Sequence, residues 1–280
     1  MNARATLSWK DAAGAFGCRG FGRREDLDVD FAAWPRSEQA TQVLARCLEP
    51  GPAGGEARAL ALTLAGRTGV LLAIHALTCR SVDLPVAARC APGCGAAFEV
   101  VLPVAPLLAL AQQAEREREL ELSLPGVGAL RLRRPTGEDQ RRWQAASYGS
   151  IEDARRAMLR SLAVDGGPPP TECDAAALDA AMEEADPLPS LSVAARCPDC
   201  GAEATRPLDL ERVLLDLLAT RQRALLQEVH VLASHYGWSE TEVFELPEWR
   251  RREYLRLIEA GSERRRPGSR PGPGGVERVS

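Results

Sequence analysis

Two pairs of cysteines are the residues whose type and spacing most directly suggest chemistry. The pair Cys90 and Cys94 and the pair Cys197 and Cys200 both begin directly after Val-Ala-Ala-Arg and are both followed by Gly-Ala. Each pair, which we call a knuckle, offers two thiolates at a tight turn, whereas a tetrahedral zinc ion takes four ligands. The first cysteines of the two knuckles are 107 residues apart. The pattern predicts that both knuckles bind a single zinc ion.

The spacing inside the two knuckles differs. Ala91-Pro92-Gly93 separates the cysteines of the first knuckle, and only Pro198 and Asp199 separate those of the second. We expect Gly93 to accommodate the extra residue as a bulge. In an alternative arrangement each knuckle recruits ligands elsewhere and binds its own metal, but no histidine is placed for that role.

Four thiolates around one ion leave no coordination position for water or substrate, so the predicted zinc is structural. We expect about one zinc per chain, lost together with cooperative folding when Cys90 or Cys200 becomes Ser. The N-terminus has no secretory signal, which favours metal over disulfides. The other cysteines occur singly and are predicted to be small buried hydrophobic side chains: Cys18, Cys47, Cys79 and Cys173.

The histidines do not form a second metal site in this interpretation. His230 and His235 are five residues apart on a predicted helix, so their side chains point about 140° apart, whereas ligand pairs prefer a spacing of four. His75 lies in an apolar segment and is predicted to be a hydrogen-bonded core histidine.

Composition narrows the classes of function. The 280 residues carry a net charge of -4, and the pI near 5.6 argues against a protein whose main role is to wrap nucleic acid. No apolar run approaches the length of a membrane span. The sequence shows no phosphate-binding glycine loop, no nucleophile elbow and no obvious carboxylate pair. We therefore predict a protein that is not an enzyme, has no small-molecule substrate and does not associate with membranes.

Periodicity and breakers divide the chain into five segments. They are an irregular N-terminal segment that forms a short strand and a loop (1–36), a first helical and knuckle half (37–164), a linker with a helix and the second knuckle (165–207), a helical C-terminal extension (208–260) and a disordered tail (261–280). The linker is placed at Gly-Gly-Pro-Pro-Pro, 166–170. The prediction is an α+β fold with a zinc-ribbon-like antiparallel β core built from the two cysteine knuckles, surrounded by helices, with a helical C-terminal extension.

Helix boundaries follow from capping residues. Ser37 is predicted to cap a helix that runs to Leu48, and Thr136 with Asp139 has the spacing of a capping box. Ser239 and Glu242 repeat that spacing. The last helix is expected to open at Pro247 and to carry Arg250, Arg251 and Arg252 on its exposed, solvated face.

Several segments together carry a family resemblance. They are TGVLLAIHALT, CRSVDLPVAARCAPGCGAAFEVVLPV and LRRPTGEDQ, the last leading into helices. On these residues the chain resembles the T-even-phage-type baseplate (hub assembly) proteins of contractile tails. LLQEVHVLASHYGWSETEVFELPEWRRREYLRLIE is similar to the C-terminal segment of the corresponding proteins of phage-tail-like contractile injection systems. The likeness covers about residues 37–260.

The resemblance implies a non-enzymatic baseplate component or baseplate assembly factor, with other baseplate or tail proteins as partners. It matches the four knuckle cysteines to the ribbon and brings no catalytic residues. It matches five residues to the C-terminal signature: Tyr236, Gly237, Trp238, Arg251 and Tyr254. Of these, we predict partner-binding roles for Tyr236, Trp238, Arg251 and Tyr254, although helix-hairpin chemistry explains the same segment equally well.

Two other functions remain open from the sequence. A tail-assembly chaperone would hold another tail protein before its incorporation, and a zinc-ribbon nucleic-acid-binding protein would need a basic groove. The expected location is the cytoplasm, or a phage-tail-like particle into which the protein is incorporated.

Overall fold

Four antiparallel hairpins alternate with helices in the part of the chain that the structure describes. The computed structural model describes residues 7–11, 14–49, 54–90, 93–126, 128–164 and 174–264. In chain order the strands are β1 (Leu7–Asp11), β2 (Gly14–Cys18), β3 (Asp83–Arg89), β4 (Ala97–Pro103), β5 (Glu119–Leu124), β6 (Gly128–Arg133), β7 (Ser192–Arg196) and β8 (Glu203–Pro207). The helices are α1 (Arg36–Cys47), α2 (Gly55–Ala61), α3 (Leu64–Cys79), α4 (Val104–Arg116), α5 (Gly137–Ala145), α6 (Ile151–Leu162), α7 (Ala175–Ala185), α8 (Leu210–Tyr236), α9 (Glu240–Glu245) and α10 (Glu248–Arg264). This confirms the α+β class.

The chain divides into two compact units, residues 1–222 and 223–280. The boundary falls inside α8. The division into five segments stays a prediction. The predicted linker at 166–170 lies outside the described residues, as does the predicted tail from residue 265 onward. None of the helices in the described ranges is both long enough and apolar enough to span a bilayer.

Helix α3 forms the centre of the first unit. Thr63 caps it by accepting a hydrogen bond from the Gly66 N–H, and its residues are buried from Ala65 through His75. Gly69 lies so close to Ala111 of α4 and to the Trp9 ring that an added Cβ would overlap the Ala111 Cβ. A helix that is apolar on nearly every side needs neighbours all round, and α3 therefore organises the surrounding core.

The N-terminal segment is more ordered than its sequence predicts. Instead of one short strand and a loop it forms the β1–β2 hairpin and a short 3-10 helix, Arg24–Asp28. Trp9, Phe16 and Cys18 of the hairpin belong to the main hydrophobic core. The glycines at both ends and in the middle of this segment obscure the pattern, because glycine is typical of turns and loops.

A second, smaller core lies where β5–β6 meets α6 and α7, with Leu122, Leu132 and Leu178 at its centre. Next to it, the predicted capping box of α5 is confirmed, since Thr136 and Asp139 each accept a hydrogen bond from the other's backbone N–H. Ser37 does not cap α1. That helix begins at Arg36, two residues before the start that a Ser37 cap predicts, so Ser37 already lies inside the helix and cannot cap it.

The second unit contains the end of α8 followed by α9 and α10. Gly237 ends α8 with φ +73°, and its N–H donates to the Ala233 carbonyl. The predicted capping box of Ser239 and Glu242 is confirmed at the start of α9. Helix α10 continues to Arg264, beyond the predicted end of the helical extension at residue 260.

Candidate metal centre

The two knuckles occupy the tips of matching hairpins, β3–β4 and β7–β8. In the first, the Cys90 N–H donates to the Ala96 carbonyl at 2.8 Å, and in the second the Cys197 N–H donates to the Ala202 carbonyl at 2.9 Å. The glycine after each second cysteine has the left-handed conformation, with φ +74° at Gly95 and +73° at Gly201. A side chain is strained in that conformation, which accounts for glycine at both positions.

The four cysteine sulfur atoms converge on one point. Cys90 Sγ lies 3.6 Å from Cys200 Sγ, Cys94 Sγ lies 3.7 Å from Cys197 Sγ, and all four lie within 4.8 Å of one another. Tetrahedral bonds of about 2.3 Å to zinc place sulfur atoms roughly 3.8 Å apart, so the donor set and its spacing fit one ion. The prediction that both knuckles form a single possible metal site is confirmed.

The site is buried on one side and open on the other. Cys90 and Cys197 are 6% and 2% exposed, whereas Cys94 and Cys200 face solvent. All four thiols are free, so no disulfide competes with a metal. Each knuckle contributes one buried and one exposed sulfur.

The sulfur atoms around position 93 leave no room for a side chain, which accounts for glycine there. A Cβ at this position would lie 2.6 Å from Cys90 Sγ and 3.1 Å from Cys200 Sγ. Ala91 and Pro92 lie outside the described residues, so the bulge at Gly93 stays a prediction. The glycine thus allows the longer first knuckle to approach the sulfur cluster closely.

Backbone N–H groups and burial have opposite effects on the pKa values of the knuckle thiols. The N–H groups of Ala202 and Cys94 point at Cys200 Sγ and lower the pKa of Cys200 to about 6. The Ala96 N–H has the same lowering effect on Cys94, but burial and the neighbouring thiols outweigh it and raise the pKa of Cys94 to about 11. Burial also raises the pKa of Cys90. Cys200 therefore ionises readily, and a bound cation would have to displace protons from Cys90 and Cys94.

Three other cysteines among the described residues, Cys18, Cys47 and Cys79, do not belong to this cluster. Cys18 and Cys47 are buried as predicted, and burial raises the pKa of the Cys47 thiol strongly. Cys79 was expected to be buried, but it is exposed because it ends α3 at the surface. Cys173 lies outside the described residues.

The histidines are placed as the sequence predicts. His75 is 6% exposed in α3, its Nδ1 lies 3.9 Å from Cys79 Sγ, and burial lowers its pKa. His230 and His235 are both exposed on α8. Within the described ranges, the four knuckle cysteines are the one group of three or more potential ligands close enough to hold a metal.

Three of the residues predicted to bind a partner form an aromatic cluster in the second unit. The rings of Tyr236 and Trp238 stack with centroids 4.6 Å apart, and Tyr254 meets both edge-on at 5.5 and 5.1 Å. The Arg250 guanidinium lies 5.8 Å from the Tyr254 ring centroid. This contact was not predicted from the sequence, although the four-residue spacing of Arg250 and Tyr254 on α10 indicates it. These contacts pack the turn after α8 against α10, and whether they also bind a partner stays a prediction.

Arg251 does not lie on the exposed face of α10, where the sequence places it. It is 6% exposed, donates to the Leu246 carbonyl at 3.0 Å and pairs with Glu228 at 3.5 Å. Its guanidinium also lies over the Phe244 ring at 5.4 Å. These contacts give Arg251 a structural role inside the second unit.

Comparison with known proteins gives one match. A family of unknown function (DUF6760) matches residues 217–279. The matched range contains α9, α10 and the greater part of α8, but none of the four knuckle cysteines. No curated protein and no solved structure matches the chain.

Proposed function

We propose that Cys90, Cys94, Cys197 and Cys200 bind one structural Zn²⁺ ion. Soft thiolate ligands in a four-sulfur tetrahedral arrangement favour zinc or iron over the hard cations that prefer oxygen. With all four positions taken by sulfur, the ion has no site for a substrate or an activated water, and its contribution is to join the two hairpins.

Elemental analysis of the purified protein tests this step. We expect about one zinc per chain, with iron absent. A fully folded protein that carries no metal after purification without chelators would reject the proposal.

We further propose that this zinc-joined scaffold is a non-enzymatic component or assembly factor of the baseplate of a phage-tail-like contractile injection system. The closed four-sulfur arrangement supports a non-enzymatic role, because it supplies a scaffold without an open metal position. The resemblance of residues 37–260 to baseplate proteins supports the baseplate as the assembly to which this protein contributes.

Deletion of the gene in the organism that encodes it tests the assembly role. We expect contractile particles to lack a complete baseplate, and a wild-type copy to restore them. A tagged protein found in purified mature particles would identify a component, whereas absence from particles that nevertheless require it would identify an assembly factor or chaperone. Normal particles in the deletion strain, or DNA retention that falls steeply with salt, would reject the proposal.

A further inference from the structure

Each knuckle has an arginine directly before its first cysteine and a glycine directly after its second. These residues are Arg89 and Gly95 in the first knuckle, and Arg196 and Gly201 in the second. Both pairs keep their places although the first knuckle is one residue longer than the second. The two arginines are exposed and end the strands β3 and β7. Neither is a metal ligand, so their shared placement has another explanation.

The Arg89 side chain reaches from one end of its knuckle to the other. Its Nη1 donates a hydrogen bond to the Gly95 carbonyl at 3.2 Å. Arg89 directly precedes Cys90 in the chain. Gly95 directly follows Cys94, so this hydrogen bond links the residues that adjoin the two ligands. The backbone hydrogen bond from the Cys90 N–H to the Ala96 carbonyl closes the same turn, and the arginine adds a second connection across it.

Arg196 has the corresponding position in the second knuckle. A Cβ added to Gly201 would lie 3.6 Å from Arg196 Nη2 and 3.8 Å from its Nε, which is ordinary van der Waals contact. The guanidinium therefore lies against the glycine that follows Cys200, while its backbone directly precedes Cys197. Glu203 stands opposite Arg196 in the register of β7 and β8, where opposite charges attract. This attraction favours a position of the arginine side chain near the tip of the hairpin.

The charge of the arginines suits a loaded metal centre. Four thiolates carry twice the charge of one Zn²⁺, so the loaded centre is a net anion and a nearby cation stabilises it. Cys94 and Cys200 are the exposed ligands of the two knuckles, and the arginines contact the glycines that follow them. Both cations therefore lie beside the ligands that solvent or a chelator reaches first.

We propose that Arg89 and Arg196 are positioning residues of the metal centre. Each holds the second cysteine of its knuckle in place through the following glycine and offsets the negative charge of the loaded site. The inference rests on the structural zinc proposed above and identifies residues outside the ligand set that determine how long the ion is retained. Groups that support metal ligands commonly change metal affinity by about 10–100-fold.

The rate of zinc release to a chromogenic chelator tests the proposal on the zinc-loaded, full-length protein. We expect Arg89→Ala and Arg196→Ala each to release zinc about three- to tenfold faster than the wild type, and the double variant about 10–100-fold faster. The differences should narrow at high ionic strength, because salt screens exposed charges. A purely structural role of the arginines would not give this salt dependence.

Arg206→Ala is the matched control. It removes an arginine from the same hairpin as Arg196, but Arg206 stands opposite Val193, four residues before Cys197. We expect this variant to release zinc at the wild-type rate. An acceleration equal to that of Arg196→Ala would overturn the proposal, because it would show that position next to the knuckle does not matter.

Cobalt substitution separates a positioning role from a loss of fold. All four thiolates remain in the variants, so their Co²⁺ forms should keep the visible absorption of a tetrahedral four-sulfur site. Loss of that absorption, or release rates of Arg89→Ala and Arg196→Ala equal to the wild-type rate, would overturn the proposal. Wild-type protein that holds no metal would instead reject the proposed zinc site, so the two proposals fail by different results.

Discussion

Cys90 and Cys200 are 110 residues apart in the chain, and their sulfur atoms lie 3.6 Å apart. Each lies at the tip of its own hairpin, so the contact joins two hairpins that are connected by a long stretch of intervening chain. A bound ion at this point would close a long loop, which constrains the unfolded chain more than a short loop does.

Removal of one ligand should release the ion. We expect Cys90→Ser to lower the zinc content from about one per chain to almost none, and to lower the melting temperature because the hairpins lose their link. Elemental analysis and thermal unfolding by circular dichroism measure both effects. Cys79→Ser is the control, because Cys79 is exposed and outside the cluster. Full zinc retention by Cys90→Ser would count against the four-sulfur site.

Gly93→Ala should weaken metal binding without removing a ligand. The new methyl group would crowd Cys90 Sγ and Cys200 Sγ and push the first knuckle away from the second. Competition with a chromogenic zinc chelator should give a lower zinc affinity than for the wild type. Gly261→Ala, whose Cβ would meet no atom within 4 Å, should bind zinc as the wild type does. Equal affinities of all three proteins would contradict the close approach seen at Gly93.

Oxidation of the metal-free protein should link the two hairpins. The sulfur atoms of Cys90 and Cys200 lie 3.6 Å apart and those of Cys94 and Cys197 lie 3.7 Å apart, so mild oxidation with diamide should form disulfides with these pairings. Peptide mapping under non-reducing conditions identifies them, and the zinc-loaded protein serves as the protected control. Disulfides confined within each knuckle would contradict these pairings.

Asp139 should make stability depend on pH in the acidic range. Hydrogen bonds from Arg133 and Thr136 outweigh burial and hold its pKa well below the ordinary value. Because the folded pKa lies below the unfolded value of about 3.9, the stabilisation is complete above that pH and is lost as the pH falls through it towards the folded pKa.

Asp139→Asn tests this dependence. The variant should be less stable than the wild type by about 2–4 kcal/mol at pH 7, and the gap should narrow towards pH 3. Urea unfolding at several pH values measures it. Asp216→Asn, at a position with a 74% exposed side chain, is the control and should show a small effect throughout. A gap that does not change with pH would contradict the assignment.

Arg251 and Arg252 are neighbours in sequence with different expected roles. Arg251→Ala should destabilise the protein by about 1–3 kcal/mol, because it removes a buried hydrogen bond to the Leu246 carbonyl and the ion pair with Glu228. Arg252, with 62% side-chain exposure, should change stability by less than about 0.5 kcal/mol when replaced by Ala. Thermal unfolding of both variants measures the difference, and similar values would contradict the buried placement of Arg251.

Local signals predicted much of the fold. The capping boxes at Thr136 and Ser239 depend on residues three positions apart, so they can be read from a short stretch of sequence. The convergence of the knuckles could also be predicted, since a four-coordinate metal requires ligands that neither pair supplies alone. In this case the number of ligands that the ion requires predicted a contact between segments far apart in the chain.

Features that depend on tertiary packing were not predictable in the same way. Arg251 has an exposed sequence context on α10, and its burial results from Glu228, Phe244 and Leu246, which other parts of the second unit bring to it. The core positions of Trp9 and Phe16 likewise depend on α3 and α4, far along the chain. The identity of the metal stays a prediction, because the sulfur positions determine a coordination geometry and not which ion binds there. The partner protein also stays a prediction.

The separation of the two half-sites affects how the protein is made. Cys90 and Cys94 emerge from the ribosome more than a hundred residues before Cys197, which at translation rates of about 5–20 residues per second is an interval of roughly 5–20 s. During that interval the nascent chain displays two thiols whose remaining ligands have not been synthesised. With the proposed zinc site, the supply of zinc and the redox state of the cell in those seconds would influence the yield of native protein.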